Sequence, residues 1–129
     1  MDRKRLNEVA SASLDCAFRV HTRLGPGLLE SVYKACLGME LAKVGLPYAA
    51  EVPCPVVYEG VKVADIGFRL DLLVANELII EAKSVEALHP LHSAQVVSYL
   101  KLTEKRLALL INFNSVHLRD GIRRVVNQF

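Results

Sequence analysis

Gly67-Phe-Arg-Leu-Asp71-Leu-Leu-Val-Ala-Asn-Glu77-Leu-Ile-Ile-Glu81-Ala-Lys83 is two apolar segments joined at Ala75-Asn76-Glu77. Apolar runs of this length, bounded by turn residues, read as strands, and strands apolar on both faces belong in the middle of a covered sheet. Three ionisable residues interrupt them: Asp71, Glu81 and Lys83. Charges are almost never buried in such a place unless they are paired or bind a metal. Side chains alternate along a strand, so Glu81 and Lys83 share one face while Ala82 points to the other. Strands paired as a hairpin lie roughly 4.8 Å apart, which lets Asp71 reach the same place as Glu81. Two carboxylates in low dielectric repel each other unless one is protonated or a cation sits between them. A hard divalent cation held by oxygen, Mg²⁺ or Mn²⁺, with the lysine beside it, satisfies this pattern.

The rest of the chain suits a small globular protein. A length of 129 residues with 52% apolar residues is enough for one domain, expected over residues 1–129, and too short for two. No apolar run approaches the ~18 residues needed to span a bilayer. The N-terminus carries no secretory pattern, so the expected location is the cytoplasm. Cys16, Cys36 and Cys54 are odd in number and lack Cys-x-x-Cys spacing, which predicts reduced thiols packed as small core residues. The net charge of +2 is too small to imply a polyanion partner on its own. Six basic residues from Lys101 onward (Lys101, Lys105, Arg106, Arg119, Arg123, Arg124) face only Glu104 and Asp120, so that tail carries +4 and the first hundred residues −2. Such a tail is either a solvated face or an edge that contacts phosphates.

Periodicity predicts a first helix over 3–24, with Leu6, Val9, Ala10, Ala17, Phe18, His21 and Leu24 on its apolar side. Gly25-Pro26-Gly27 breaks it, and a second helix runs over about 28–44, stopped by Gly45 and Pro47. Residues 49–59 are β-branched but hold Pro53 and Pro55, the mark of an edge strand. Glu59-Gly60 is a turn, and strands over 61–74 and 78–84 complete a meander. His89-Pro90 opens a third helix to Thr103, Leu107–Asn112 is an apolar strand, and Ile122–Asn127 a short one. The order ααβββαββ places a helix between the third and fourth strands, so that pair is expected to be parallel within a mixed sheet. The class is α/β.

Polar residues recur where apolar stripes should lie. Glu30 shares a sector with Tyr33, Leu37, Leu41 and Val44, so it is either a first-turn acid favoured by the helix dipole or a carboxylate aimed at the same cation as Asp71 and Glu81. Gln95 falls between Leu91, Ser98 and Leu102, with Tyr99 one turn on. A buried amide and phenol need hydrogen bonds, and either tie helix to sheet or orient groups beside the metal. His89 and His92 are close in sequence but have no third ligand for zinc, while His92 projects within about 60° of Gln95. His21 reads as a satisfied core histidine, and His117 carries no signal. Gly-rich phosphate loops and a nucleophile elbow are absent.

In order along the chain, four segments carry a resemblance. Gly27-Leu-Leu-Glu30-Ser-Val-Tyr33 has the form GxxExxY; Asp71 is followed ten residues on by Glu81-Ala82-Lys83; Gln95-Val-Val-Ser-Tyr99 has the form Gln-x-x-x-Tyr; and Gly67-Phe-Arg-Leu-Asp71 has the form Gly-x-x-x-Asp. The chain resembles the PD-(D/E)XK nuclease superfamily, and within it the small bacterial GxxExxY branch, whose members share the Gln-x-x-x-Tyr motif with RecB-like nucleases. The resemblance implies a restriction-endonuclease-like core and metal-dependent hydrolysis of phosphodiester bonds in DNA, with RNA left open as the alternative nucleic acid. It implies Mg²⁺ or Mn²⁺ held by Asp71, Glu81 and the carbonyl of Ala82, with Glu30 directly or through water. Lys83 would position water or offset charge, and Gln95 and Tyr99 would fix geometry from the flanking helix. RecB-like members place a histidine where this chain has Glu30, so their manganese preference does not carry over. With no separate recognition domain, such a core calls for self-association or a partner protein. The alternative is a non-catalytic nucleic-acid-binding or assembly module that retains the fold.

Overall fold

The computed structural model describes residues 1–129. Its elements are α1 (Arg3–Leu24), α2 (Glu30–Lys43), β1 (Tyr48–Tyr58), β2 (Val61–Val74), β3 (Leu78–Lys83), α3 (Pro90–Thr103), β4 (Leu107–Asn112), a short 3-10 turn (Leu118–Gly121) and β5 (Ile122–Val126). The 3-10 turn is the one element the sequence pattern did not show. The five strands form one mixed sheet in the order β1-β2-β3-β4-β5; β3 and β4 run parallel and every other neighbour is antiparallel. The parallel pair follows from the chain crossing through α3 between them, as expected. No helix is long and apolar enough to cross a membrane.

Both hairpins turn on left-handed residues. Ala75 and Asn76 have φ of 51° and 58°, and Glu59-Gly60 has 52° and 78°. Two left-handed residues in succession give the turn whose twist matches that of paired strands. Pro53 and Pro55 lie in β1, which has a neighbour on one side only, where the missing N–H donors cost least.

Alternation along β3 sorts its side chains. Leu78, Ile80 and Ala82 enter a core beneath α1 and α2, built on Leu6, Val9, Tyr33, Leu37, Leu41 and Phe113. Ile79 enters a smaller core beneath α3, with Leu70, Val96, Leu100 and Leu110. Leu78, Ile79 and Ile80 are wholly buried. Each contributes ~1.5–3 kcal/mol, enough together to hold β3 in the middle of the sheet although it also buries Glu81.

The inward stripes of α1 and α2 follow the expectation except at single positions, whereas α3 departs in phase. In α1, Cys16 and Val20 take inward positions, whereas Phe18 and Leu24 are exposed. In α2 the buried stripe is Tyr33, Leu37 and Leu41, and Val44 falls past the last helical residue and is exposed. In α3 the buried residues are Val96 and Leu100, so Leu91, Gln95, Ser98 and Leu102 form the outward side. That segment is apolar on every side, so its period could not fix its phase. The packing of Val96 and Leu100 on Ile79, Ala108 and Leu110, together with the Phe68–Tyr99 ring stack at 4.6 Å, sets it. All three cysteines are free, with Cys16 and Cys54 buried.

Candidate metal centre

The β2–β3 ladder stops at Leu72↔Ile80. One residue further, where backbone would continue to bond backbone, the two carboxylates take over. The Asp71 N–H donates to Glu81 Oε2 at 2.7 Å, and the Ala82 N–H donates to Asp71 Oδ2 at 2.9 Å. Each acid therefore satisfies a main-chain donor of the opposite strand, which keeps the pair together at the point where the strands part.

Glu81 is 4% exposed. Burial, followed by the repulsion of Asp71, raises its carboxyl from the ordinary 4.5 to about 8, against the Asp71 N–H bond and the fields of Lys83 and Lys34. It has too little positive charge around it to ionise at neutral pH. Lys83 lies on the same strand face, half-buried, and pairs with no carboxylate. Tyr99 stacks on Phe68, and burial, then the charges of Glu81 and Asp71, raise its phenol. Gln95 is exposed on the outer side of α3, so the expected buried amide is not found; α3 turns its other face to the sheet.

The Gly27–Tyr33 segment acts through its tyrosine. Tyr33, fully buried and stacked on Phe113 at 4.8 Å, donates to the Gly25 carbonyl at 2.6 Å and accepts from the Leu28 N–H at 3.1 Å. It thereby fixes the Gly25-Pro26-Gly27 loop. Ser84, directly after Lys83, donates to the Leu28 carbonyl at 2.6 Å, which ties the start of α2 to the end of β3. Glu30 is the first residue of α2 and is half-buried, with no hydrogen bond or ion pair. No three acidic, histidine or cysteine side chains converge closely enough to form a ligand cage, so Glu30 is not brought to Asp71 and Glu81.

Two residues that no pattern singled out take part. Lys34, one turn beyond Glu30 on α2, places Nζ 3.4 Å from Asp71 Oδ1 and 2.6 Å from Glu51 Oε1. Burial lowers its pKa, but the bond to Glu51 and the field of Asp71 outweigh that and the ammonium is held above its usual range. Glu51 lies in β1 where the register passes from Ala50↔Leu72 to Val52↔Leu70, across from Asp71, and its φ is 51°. A non-glycine residue in the left-handed region within a strand is strained by about 1–3 kcal/mol. Sequence carries no signal for that φ; Lys34 reads from sequence only as an i,i+4 partner of Glu30.

Three of the four histidines have structural hydrogen bonds. His21 Nε2 lies 2.7 Å from the Ser115 carbonyl. His89 caps α3 by accepting from Leu91 N–H, and His92 Nδ1 accepts from His89 N–H, both at 3.0 Å.

Asp71 and Glu81 offer a hard cation oxygen ligands, and Glu81 has no ion-pair partner of its own, so the donor set fits Mg²⁺ or Mn²⁺, with remaining positions left to backbone carbonyl and water. Comparisons with curated proteins and with solved structures gave no match. A family model described as the PD-(D/E)XK nuclease superfamily matches residues 7–125. That span opens in α1 and closes in β5, taking in every element that positions the acid pair, and the chain belongs to the PD-(D/E)XK nuclease superfamily.

Proposed function

We propose that the protein is a metal-dependent nuclease of the GxxExxY branch that hydrolyses phosphodiester bonds of DNA. The observation that carries the proposal is the Asp71–Glu81 pair, joined through reciprocal main-chain bonds, with Glu81 buried and without an ion-pair partner of its own. Asp71, Glu81 and the Ala82 carbonyl would hold Mg²⁺ or Mn²⁺, with Glu30 reaching it through water. When bound, the ion supplies Lewis acidity toward a scissile phosphate and acidifies a water.

The chain's own groups do the rest. Glu81 gives up its proton as positive charge arrives, because its carboxyl is neutral near pH 7 otherwise. Lys83, free of any acid, orients the attacking water and offsets charge on the phosphate. Tyr99 keeps its proton and stays a hydrogen-bond donor beside the acids. Gln95, on the exposed side of α3, contacts the DNA backbone. Arg3, Lys4, Arg5 and the basic tail track phosphates, giving salt-dependent binding with little base readout.

The test is cleavage of linear and circular, single- and double-stranded DNA under Mg²⁺ and Mn²⁺ titration. Lys83→Ala should lower the cleavage rate by roughly 10²–10³-fold while leaving Mn²⁺ affinity within a few-fold. Undiminished cleavage by that variant would place the chemistry elsewhere. The second reading, a nucleic-acid-binding module that keeps the fold, is favoured by Lys34, which already supplies positive charge to Asp71 without a metal. Metal uptake and DNA binding with no cleavage of any substrate form would select it.

A further inference from the structure

A half-buried carboxylate whose oxygen is already taken by an ammonium is not an open metal ligand. Asp71 is in that position, 14% exposed, with Lys34 Nζ at 3.4 Å. The same ammonium has a second acid, Glu51, at the much shorter 2.6 Å. Glu51 meets it from a backbone with φ of 51° inside β1, between the paired positions Ala50 and Val52. Strained residues persist where the surroundings over-determine them, and an observed outlier beside a candidate site points to a role there. α2 holds the Lys34 backbone on a rigid helix anchored by Tyr33 and Leu37, while the four-carbon stem leaves Nζ free to shift between the two acids.

We propose that Lys34 is a resident counter-ion that competes with the divalent cation for Asp71, and that Glu51 is the acid that retains it when the cation enters. The inference rests on the metal reading of Asp71 and Glu81. In the metal-free protein Lys34 offsets part of the negative charge on the acid pair. A divalent ion at Asp71 repels the ammonium, and the shorter pairing with Glu51 retains it without exposing an unpaired charge. Lys34 is a positioning residue, and metal affinity is set by how readily it leaves. Glu51, with its side chain 53% exposed, acts through Lys34 and not through its own solvent-screened charge.

Calorimetric titration of the full chain with Mn²⁺ and Mg²⁺ alone, without DNA, tests this. Lys34→Met should bind Mn²⁺ about tenfold more tightly, the factor corresponding to loss of one charge-assisted contact. Its metal-free melting temperature should fall and recover on adding Mn²⁺. Glu51→Gln should bind several-fold more weakly, because Lys34 then leans on Asp71 alone. The double variant should match Lys34→Met within about twofold. Lys34→Gln, which keeps a polar side chain, should move in the same direction as Lys34→Met if the latter folds poorly. Equal affinity of wild type, Lys34→Met and Lys34→Gln overturns the counter-ion role and leaves the metal site standing. A Glu51→Gln effect that persists in the Lys34→Met background overturns the retention of Lys34 by Glu51. Failure of every variant, wild type included, to take up either ion removes the metal reading itself and the inference with it.

Discussion

Asp71→Asn should abolish metal-dependent DNA cleavage, with a loss on the order of 10³-fold or more in rate, and leave the fold intact. Asn retains an oxygen that can accept from the Ala82 N–H, so the tie between β2 and β3 survives. What disappears is the charge. Mn²⁺ affinity falls with it, and Lys34 is left with Glu51 as its only acid. Glu81 also changes: repulsion by Asp71 is the second cause of its raised pKa, after burial, so its carboxyl moves down toward the ordinary range without reaching it. Cleavage assays beside circular dichroism and Mn²⁺ titration read all three effects. A folded Asp71→Asn protein that still cleaves at the wild-type rate would put the reaction outside this acid pair.

The metal-free protein should become less stable as pH rises from about 5 to 8, the reverse of the usual behaviour of a carboxylate. Glu81 titrates near 4.5 when unfolded and near 8 when folded. Between these values the native state holds a proton that the unfolded chain has released. Stability therefore declines with rising pH across that interval and levels off above about 8. The full shift corresponds to a ceiling of about 5 kcal/mol. Glu81→Gln replaces the carboxyl with a group that does not titrate and can still accept from the Asp71 N–H. It should remove most of this slope and exceed the wild type at pH 8 by ~2 kcal/mol or more, while losing metal binding. Denaturant unfolding in the presence of chelator at pH 5 and pH 8 measures both. Parallel pH profiles for the two proteins would mean that the folded carboxyl ionises normally. With saturating Mn²⁺ the wild-type decline should shrink, since the ion favours the ionised form.

The acid pair was legible because it breaks a strong pattern. Asp71 and Glu81 stand in runs that otherwise demand aliphatic residues, and the turn between them fixes which strand positions face each other. The edge placement of β1 could be read from its two prolines, and the parallel β3–β4 pair from the helix between them. The phase of α3 could not, because Leu91, Val96, Val97, Leu100 and Leu102 surround the helix and the sheet alone chooses among them. Gln95 was assigned to the wrong side for that reason. Lys34 and Glu51 were invisible for a different one. A lysine on a helix flank and a glutamate in an edge strand are what solvent-facing positions ordinarily carry, and the left-handed backbone angle of Glu51 leaves no trace in composition.

The early end of the β2–β3 ladder bears on which changes in chain length this lineage tolerates. Loop tips normally absorb insertions, and Glu59-Gly60, at the far end of a ribbon with exposed Val57, Tyr58 and Val61, is such a tip. Ala75–Glu77 is not. One added residue there would slide β3 by a single step against β2, turning Glu81 and Lys83 into the apolar core beneath α1 and α2 and moving Ala82 to the opposite face. Two hairpin bends of similar shape thus tolerate change differently, one free to vary in length and the other held to its length by the register of the acid pair.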